Sequence, residues 1–212
     1  MVTSERKQRE FERREKEIVS SAYELFRQEG YQSVSIEQIA KRADIGKGTV
    51  YKHFQSKEEI AARIIIDINQ QAESLVAETL DHLPFRERLD KLVDLSWSVN
   101  MQETNFLTSL IAQMIRGDFF NKLSEPMQKA YAEMRDQHNQ LYVDLIQQAI
   151  DDGEVIPVSA EGLLFSVSAV LDGVLFRAWL MLGAGLDIKN IEQTYMQEIK
   201  DFIYRGIKNP AK

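Results

Sequence analysis

Apolar residues recur along most of the chain at helical spacing. Ile18, Ala22, Leu25 and Phe26 lie at i, i+4, i+7 and i+8, which predicts a helix that ends near Gly30. Alternating strand patterns and Asn-Gly or Asp-Gly hairpins are nearly absent. The pattern therefore predicts an all-α protein of about nine helices.

Capping residues and breakers place the later helices. Ser56 and Glu59 have the spacing of a capping box, which opens a long helix reaching about Leu83. Glycine and proline breaks then divide the rest of the chain. The remaining helices are predicted at 84–101, 104–117, 125–152, 160–183 and 189–207.

Residues 35–54 have the spacing of a helix-turn-helix motif. Ser35 and Gln38 form a capping box that opens the first helix. Asp44 tolerates the left-handed conformation that the turn requires. Val50 and Phe54 lie four residues apart and form the buried face of the second helix. Its other side then presents cations, hydroxyls and an imidazole suited to phosphates and base edges: Lys47, Thr49, Tyr51, Lys52 and His53.

Net charge, summed over the whole chain, argues against this interpretation. The chain carries −7 and its pI is about 5.1, whereas a phosphate backbone attracts a basic partner. The charge is unevenly distributed, however. Residues 1–57 hold 12 Lys and Arg against 9 Asp and Glu, and residues 58–212 hold 14 against 24. The acidic part should repel DNA, so any contact is confined to the N-terminal part.

About 45 residues of this region resemble the DNA-binding domain of the TetR (tetracycline-repressor) family. The resemblance implies an all-α homodimeric repressor with a DNA-binding domain at residues 1–57 and a ligand-binding and dimerisation domain at 58–212. It is carried by Phe26-x-x-x-Gly30-Tyr31, by Ser33-Val34-Ser35-Ile36-x-x-Ile39-Ala40-x-x-Ala43, and by Ile45-Gly46-Lys47-Gly48-Thr49-Val50-Tyr51-Lys52-His53-Phe54-x-Ser56-Lys57-Glu58-Glu59.

The resemblance also assigns DNA-contacting positions. It places Lys47, Gly48, Thr49, Tyr51, Lys52 and His53 on the recognition helix, and it makes Ser35 and Lys57 phosphate-contacting positions. Asp44 stands where the family often has glycine, and Gly46 where it often has serine. Both residues suit their positions, so these departures affect base preference rather than fold.

Two interpretations remain open for the charged N-terminal arm. Glu5–Arg9, Glu10–Arg14 and Glu12–Lys16 are acid-before-base pairs at i, i+4, which favours an exposed extension of the first helix. The alternative is an arm that lies along the DNA backbone.

The segment 160–183 is apolar nearly all round, which predicts a helix covered on every side. Asp172 and Arg177 interrupt it, so we expect a buried helix and not a membrane span. A partner subunit supplies the cover most simply, as the resemblance implies. The predicted dimer interface comprises Leu164, Leu171, Leu175, Ile199, Phe202 and Ile203.

Aromatic residues and methionines in the C-terminal part could line an apolar ligand pocket or simply form the core. Asp172 and Arg177 could form a buried pair, a dimer contact or polar groups that orient a ligand. The predicted pocket comprises Trp97, Met101, Phe106, Met114, Tyr131, Met134, Phe165, Asp172, Phe176 and Trp179.

Several other kinds of chemistry are not indicated. Cysteine is absent, and His53, His82 and His138 lack the spacing of metal ligands. We find no catalytic constellation and no cofactor motif, so we expect no enzyme, metal or cofactor. The charged N-terminus has no secretory signal, which favours a cytoplasmic protein.

The expected function is a ligand-responsive repressor that binds a palindromic operator as a dimer. The alternative is a helical small-molecule binder or enzyme that does not bind DNA.

Overall fold

The computed structural model describes residues 2–80, 83–115, 117, 119–188 and 195–211. These residues form nine α-helices, a 3-10 turn at Phe120–Lys122, and an isolated bridge between Val155 and Lys208. The helices are α1 (Val2–Glu29), α2 (Ile36–Arg42), α3 (Lys47–His53), α4 (Lys57–Leu80), α5 (Phe85–Gln102), α6 (Thr104–Ile115), α7 (Glu125–Asp151), α8 (Ala160–Gly183) and α9 (Met196–Ile207). His82, Asp118 and the predicted helix start at 189 lie outside the described residues.

Local sequence signals set most helix ends as predicted. Gly30 ends α1 with φ at +79°, and Asp44 takes φ +53° in the turn before α3. Ser56 accepts a hydrogen bond from the Glu59 backbone, as a capping box requires. The Glu59 carboxylate, however, accepts from the Gln55 backbone at 2.6 Å, one residue before the expected donor.

The charged arm is part of α1. Arg14 pairs with Glu10 at 3.5 Å and with Glu17 at 2.8 Å, while Arg13 pairs with Glu10 at 2.5 Å. These contacts lie on the exposed side of the helix and stabilise it modestly. The prediction of a helical extension is confirmed, and its contact with DNA stays a prediction.

The chain forms two compact units. Unit 1 comprises residues 1–71 and 103–134, and unit 2 comprises residues 72–102 and 135–212. The core of unit 1 joins the inner faces of α1, α2 and α3 to α4 and α6 through side chains such as Phe26, Ile39, Val50 and Phe106. These compact units differ from the predicted division at residue 57, because α6 packs against α1. The division of DNA binding from ligand binding at residue 57 stays a prediction.

Unit 2 places its core between α5, α7, α8 and α9. Trp97, Leu163, Leu175 and Ile203 are buried there. Among the described residues, α8 is the helix with the length and apolar composition of a membrane span. Its buried residues lie on one side only: Ala160, Leu163, Leu175 and Ala178. The rest of α8 is uncovered in the single chain, so its cover by a partner subunit stays a prediction.

Candidate DNA-binding surface and ligand cavity

The helix-turn-helix is anchored as the sequence predicted. Val50 and Phe54 are buried in the core of unit 1 beneath α3, and Ile36 and Ile39 anchor α2 in the same core. The Ser35 hydroxyl accepts from the Gln38 backbone at 3.3 Å, and the Gln38 side chain accepts from the Ser35 backbone at 2.8 Å. The anchored face fixes which side of α3 remains free.

The free side of α3 carries most of the predicted DNA-contacting residues. Lys47, Gly48, Tyr51 and Lys52 are exposed, with Tyr51 exposed to 48%. Thr49 is half-buried, so it presents less surface than the periodicity predicted. Gly46 and Gly48 have no neighbour within 4 Å of where a Cβ would stand, so neither glycine is required by packing. The open surface at Gly48 would admit a close approach of DNA.

Lys47 does not extend freely into solvent. Its ammonium pairs with the Glu37 carboxylate on α2, and it lies 5.8 Å from the centroid of the Tyr51 ring. The hydrogen bond to Glu37 raises the pKa of Lys47, and the same bond lowers the pKa of Glu37. An acidic side chain therefore already pairs with this cation, and the DNA contact of Lys47 stays a prediction.

His53 packs against the N-terminal extension of α1. Its ring lies 4.1 Å from that of Phe11, centroid to centroid, and its Nδ1 is buried without a hydrogen-bond partner. Burial lowers the pKa of His53, which favours the neutral ring. Sequence reasoning missed Phe11, whose signal was that it is the only aromatic residue in the charged arm.

The side chain of Lys57 makes contacts within the protein that the sequence did not predict. Its ammonium donates to the backbone carbonyls of Tyr31 at 2.8 Å and Val34 at 2.7 Å, and it lies 4.3 Å from the Tyr31 ring centroid. Burial lowers the pKa of Lys57. The residue thus fastens the turn between α1 and α2, while its predicted phosphate contact stays a prediction.

Unit 2 contains a cavity of about 250 Å³, slightly below the roughly 300–1,000 Å³ typical of ligand sites. Leucine, valine and isoleucine side chains from α5, α7 and α8 form most of its wall. The polar residues in the wall are Arg88, Ser96, His138, Asn139, Tyr142, Ser168 and Asp172. The cavity is therefore apolar with a few polar groups, as a site for an amphipathic molecule requires.

Only Asp172 of the ten predicted pocket residues lines this cavity. Phe106, Met114 and Tyr131 pack in or against the core of unit 1, and Met134 is also buried in that unit. In unit 2, Trp97 and Trp179 pack in or against the core, and Met101 borders it. Phe165 and Phe176 are exposed on α8 and do not line this cavity. The pocket role of the other nine residues stays a prediction, because large apolar side chains fill cores as readily as pockets.

The predicted interface residues differ in burial and in position. Leu175 and Ile203 are already buried in the core of unit 2, and their interface role stays a prediction. Leu164 and Leu171 line the cavity, and Ile199 is half-buried. Phe202 is exposed to 70%, and Phe165, predicted for the pocket, is exposed to 78%.

Asp172 and Arg177 do not form the buried pair considered above. Both are exposed on α8, and partial burial raises the pKa of Asp172. Asp172 is placed at the cavity wall, which agrees with the alternative of a polar group facing a ligand. Within the described residues, no group of three acidic or histidine side chains is arranged to hold a metal ion.

Comparison with known proteins agrees with these observations. The sequence model for bacterial regulatory proteins of the tetR family matches residues 18–64. The uncharacterized HTH-type transcriptional regulator YdeS of Bacillus subtilis is 25% identical over 200 residues, which cover 91% of this chain and 89% of the relative. The HTH-type transcriptional repressor KstR2 of Mycolicibacterium smegmatis is 25% identical over 185 residues, 86% of this chain and 87% of the relative.

Solved structures share the fold along most of the chain. A proposed transcriptional regulator from Saccharomonospora viridis in complex with choline has a TM-score of 0.69 at 22% identity and covers 92% of this chain and 97% of its own. The transcriptional regulator FadR from Bacillus subtilis in complex with stearoyl-CoA has a TM-score of 0.66 at 16% identity and covers 90% and 97%. The relatives named here are transcriptional regulators rather than enzymes. Residues 18–64, which hold the anchored helix-turn-helix, thus match the DNA-binding domain of the tetR family, and the chain as a whole is similar to HTH-type transcriptional regulators.

Proposed function

We propose that the protein is a cytoplasmic, homodimeric repressor that binds a palindromic operator and is released by a small apolar or amphipathic effector. The observation that carries the DNA-binding part is the geometry of α3. Val50 and Phe54 are buried on one side, and Lys47, Tyr51 and Lys52 are exposed on the other. A helix anchored in this way can enter the major groove.

The apolar surface of α8 and α9 supports the dimer. Phe165, Phe176, Leu180 and Phe202 are exposed in the single chain, although large apolar residues usually gain stability from burial. A two-fold axis through this surface would pair two identical patches. It would also match the symmetry of a palindromic operator, whose half-sites lie one helical turn or a multiple apart.

The cavity of unit 2 supports the proposal that a small-molecule effector binds this protein. Two proteins of the same fold were crystallised with small molecules, choline in one and stearoyl-CoA in the other. An effector can release the operator only by its difference in affinity between two states of the dimer. A shift from 99:1 to 1:99 requires about 5.5 kcal/mol.

The proposal is tested in two steps. An operator is first selected from genomic fragments by the purified dimer, and Tyr51→Ala should abolish its binding while the fold and dimer persist. Lys129→Ala, which removes an exposed cation on α7, is the control. Small molecules retained by the purified dimer are then identified by native mass spectrometry and tested for release of the operator. Full operator affinity in Tyr51→Ala, or DNA binding that does not depend on salt, would refute the DNA-binding part.

A further inference from the structure

Arg88 is a buried cation in the wall of the unit 2 cavity whose charge is poorly compensated. Its residue is 6% exposed, and its Nε is buried without a hydrogen-bond partner. Its Nη1 lies 3.4 Å from the Gln148 side chain, and its Nη2 lies 3.9 Å from the Glu154 carboxylate. Charge-assisted hydrogen bonds are normally 2.7–2.9 Å long, so both contacts are weak.

Other buried or partly buried cations of unit 2 are paired closely. Lys200 is 8% exposed and lies 2.5 Å from the Asp94 carboxylate. Arg86, on the same helix as Arg88, lies 3.0 Å from Asp90 and 2.5 Å from Asp201. A buried charge without a close partner is unfavourable, since burial removes its hydration. Arg88 therefore differs from its neighbours where it borders an apolar cavity.

We infer that Arg88 recognises the effector and that the effector is a small apolar carboxylate. This inference rests on the proposal that the cavity is the effector site. A guanidinium offers parallel N–H groups that match the two oxygens of a carboxylate, and Nε is available for one of them. The leucine and valine side chains of α5, α7 and α8 then surround the apolar body of the ligand.

The other charged groups at the cavity do not take over this role. Asp172 is an acid and is exposed, so solvent screens its repulsion of an anion. His138 lies 3.3 Å from Glu73, which gives the imidazole an acidic neighbour. Arg88 is thus the buried cation available to an anion among the described residues of the wall.

The first test uses the wild-type dimer and three ligands with the same eight-carbon chain: octanoate, 1-octanol and octylamine. Isothermal titration calorimetry should show octanoate binding about tenfold or more tightly than octanol, because the ion pair adds to the shared apolar contact. Binding of octanol or octylamine as tightly as octanoate would overturn the inference. This comparison needs no variant, so it remains decisive even where a substitution at Arg88 impairs folding.

The second test uses Arg88→Gln, Arg88→Lys and the control Lys91→Gln, which removes an exposed cation from the same helix. Arg88→Gln should lose the preference for octanoate over octanol, while its affinity for octanol stays unchanged. Arg88→Lys keeps a positive charge, so it should retain part of that preference. Unchanged octanoate affinity in Arg88→Gln would overturn the inference.

Leu145→Trp fills the cavity and separates cavity binding from adsorption to the apolar surface of α8. It should abolish octanoate binding, and persistent binding would also overturn the inference. Failure of the inference remains distinguishable from failure of the proposed function. Octanol could bind in the cavity and release the operator equally well in wild type and in Arg88→Gln. That result would support the cavity as the effector site and would refute a carboxylate effector.

Discussion

The Tyr23 hydroxyl donates a 2.7 Å hydrogen bond to the carboxylate of Glu103, which lies 80 positions further along the chain. Glu103 is buried at the start of unit 1's second segment, and Arg27 approaches the same oxygen at 3.4 Å. The other oxygen of Glu103 has no hydrogen-bond partner. Since a buried carboxylate requires hydrogen bonds, Tyr23 and Arg27 together hold Glu103 against α1.

Tyr23→Phe should destabilise the protein by about 1–3 kcal/mol, because it leaves a buried carboxylate with fewer donors. Urea unfolding monitored by circular dichroism measures the change. Tyr195→Phe, at an exposed tyrosine of unit 2, is the matched control and should have no effect. Equal unfolding midpoints for the two variants would show that the Tyr23 hydroxyl contributes nothing.

The stability of the protein at alkaline pH tests the same Tyr23–Glu103 contact. Burial, together with the hydrogen bond to Glu103 and its charge, raises the pKa of Tyr23 from 10 to about 12. The folded pKa is above the unfolded value, so this stabilisation is complete below pH 10 and is lost as the pH rises towards 12. The stability difference between wild type and Tyr23→Phe should shrink across this window. A difference that stays constant from pH 9 to 12 would contradict the assignment.

Lys57→Met should destabilise unit 1 by about 1–3 kcal/mol, since it leaves the carbonyls of Tyr31 and Val34 without their donor. Thermal unfolding measures this effect. The salt dependence of operator binding tests the predicted phosphate contact separately, because loss of one phosphate contact lowers the log–log slope by about 1. An unchanged slope with lower stability would assign Lys57 to folding alone.

Glu37→Gln should strengthen DNA binding by about two- to five-fold, because it frees Lys47 from an exposed ion pair. Fluorescence anisotropy with an operator duplex measures the affinity. Glu29→Gln, at another exposed acid of unit 1, controls for the change in net charge. If both variants strengthen binding equally, the gain comes from overall charge and not from Lys47.

Phe202→Asp should convert the proposed dimer to monomers, because it places a charge on an apolar residue of α9 that is 70% exposed. Sedimentation equilibrium measures the mass, and operator affinity should fall with it. Val158→Asp, at an exposed apolar residue that precedes α8, is the control. A dimer that survives Phe202→Asp would exclude this surface as the interface.

Local contacts made the DNA-binding motif readable from the sequence. The capping box of Ser35 and Gln38 spans three residues, and the left-handed turn at Asp44 depends on that residue alone. The spacing of Val50 and Phe54 sets the buried face of α3 because helical periodicity is fixed. These features required no knowledge of the rest of the chain.

The cavity of unit 2 could not be predicted from the sequence, because it forms where distant segments pack together. Periodicity shows that a helix has an apolar face, but it does not show whether that face meets a core, a cavity or a partner. Hence Phe106 was predicted for a pocket and lies in a core, while Phe165 was predicted for a pocket and lies on the surface. Arg88 gave no signal, because an arginine on a helix is usually solvated and its poor compensation arises only from its neighbours in space.

The sequence by itself determined the helix-turn-helix, most of the helices and the exposed side of α3, because short-range hydrogen bonds and helical periodicity set them. Only the tertiary structure decided that Lys57 fastens a turn, that Tyr23 meets Glu103 and that Arg88 borders a cavity. Those relationships join residues that are distant in the chain, such as Tyr23 and Glu103 at 80 positions apart, and their geometry depends on how whole helices pack.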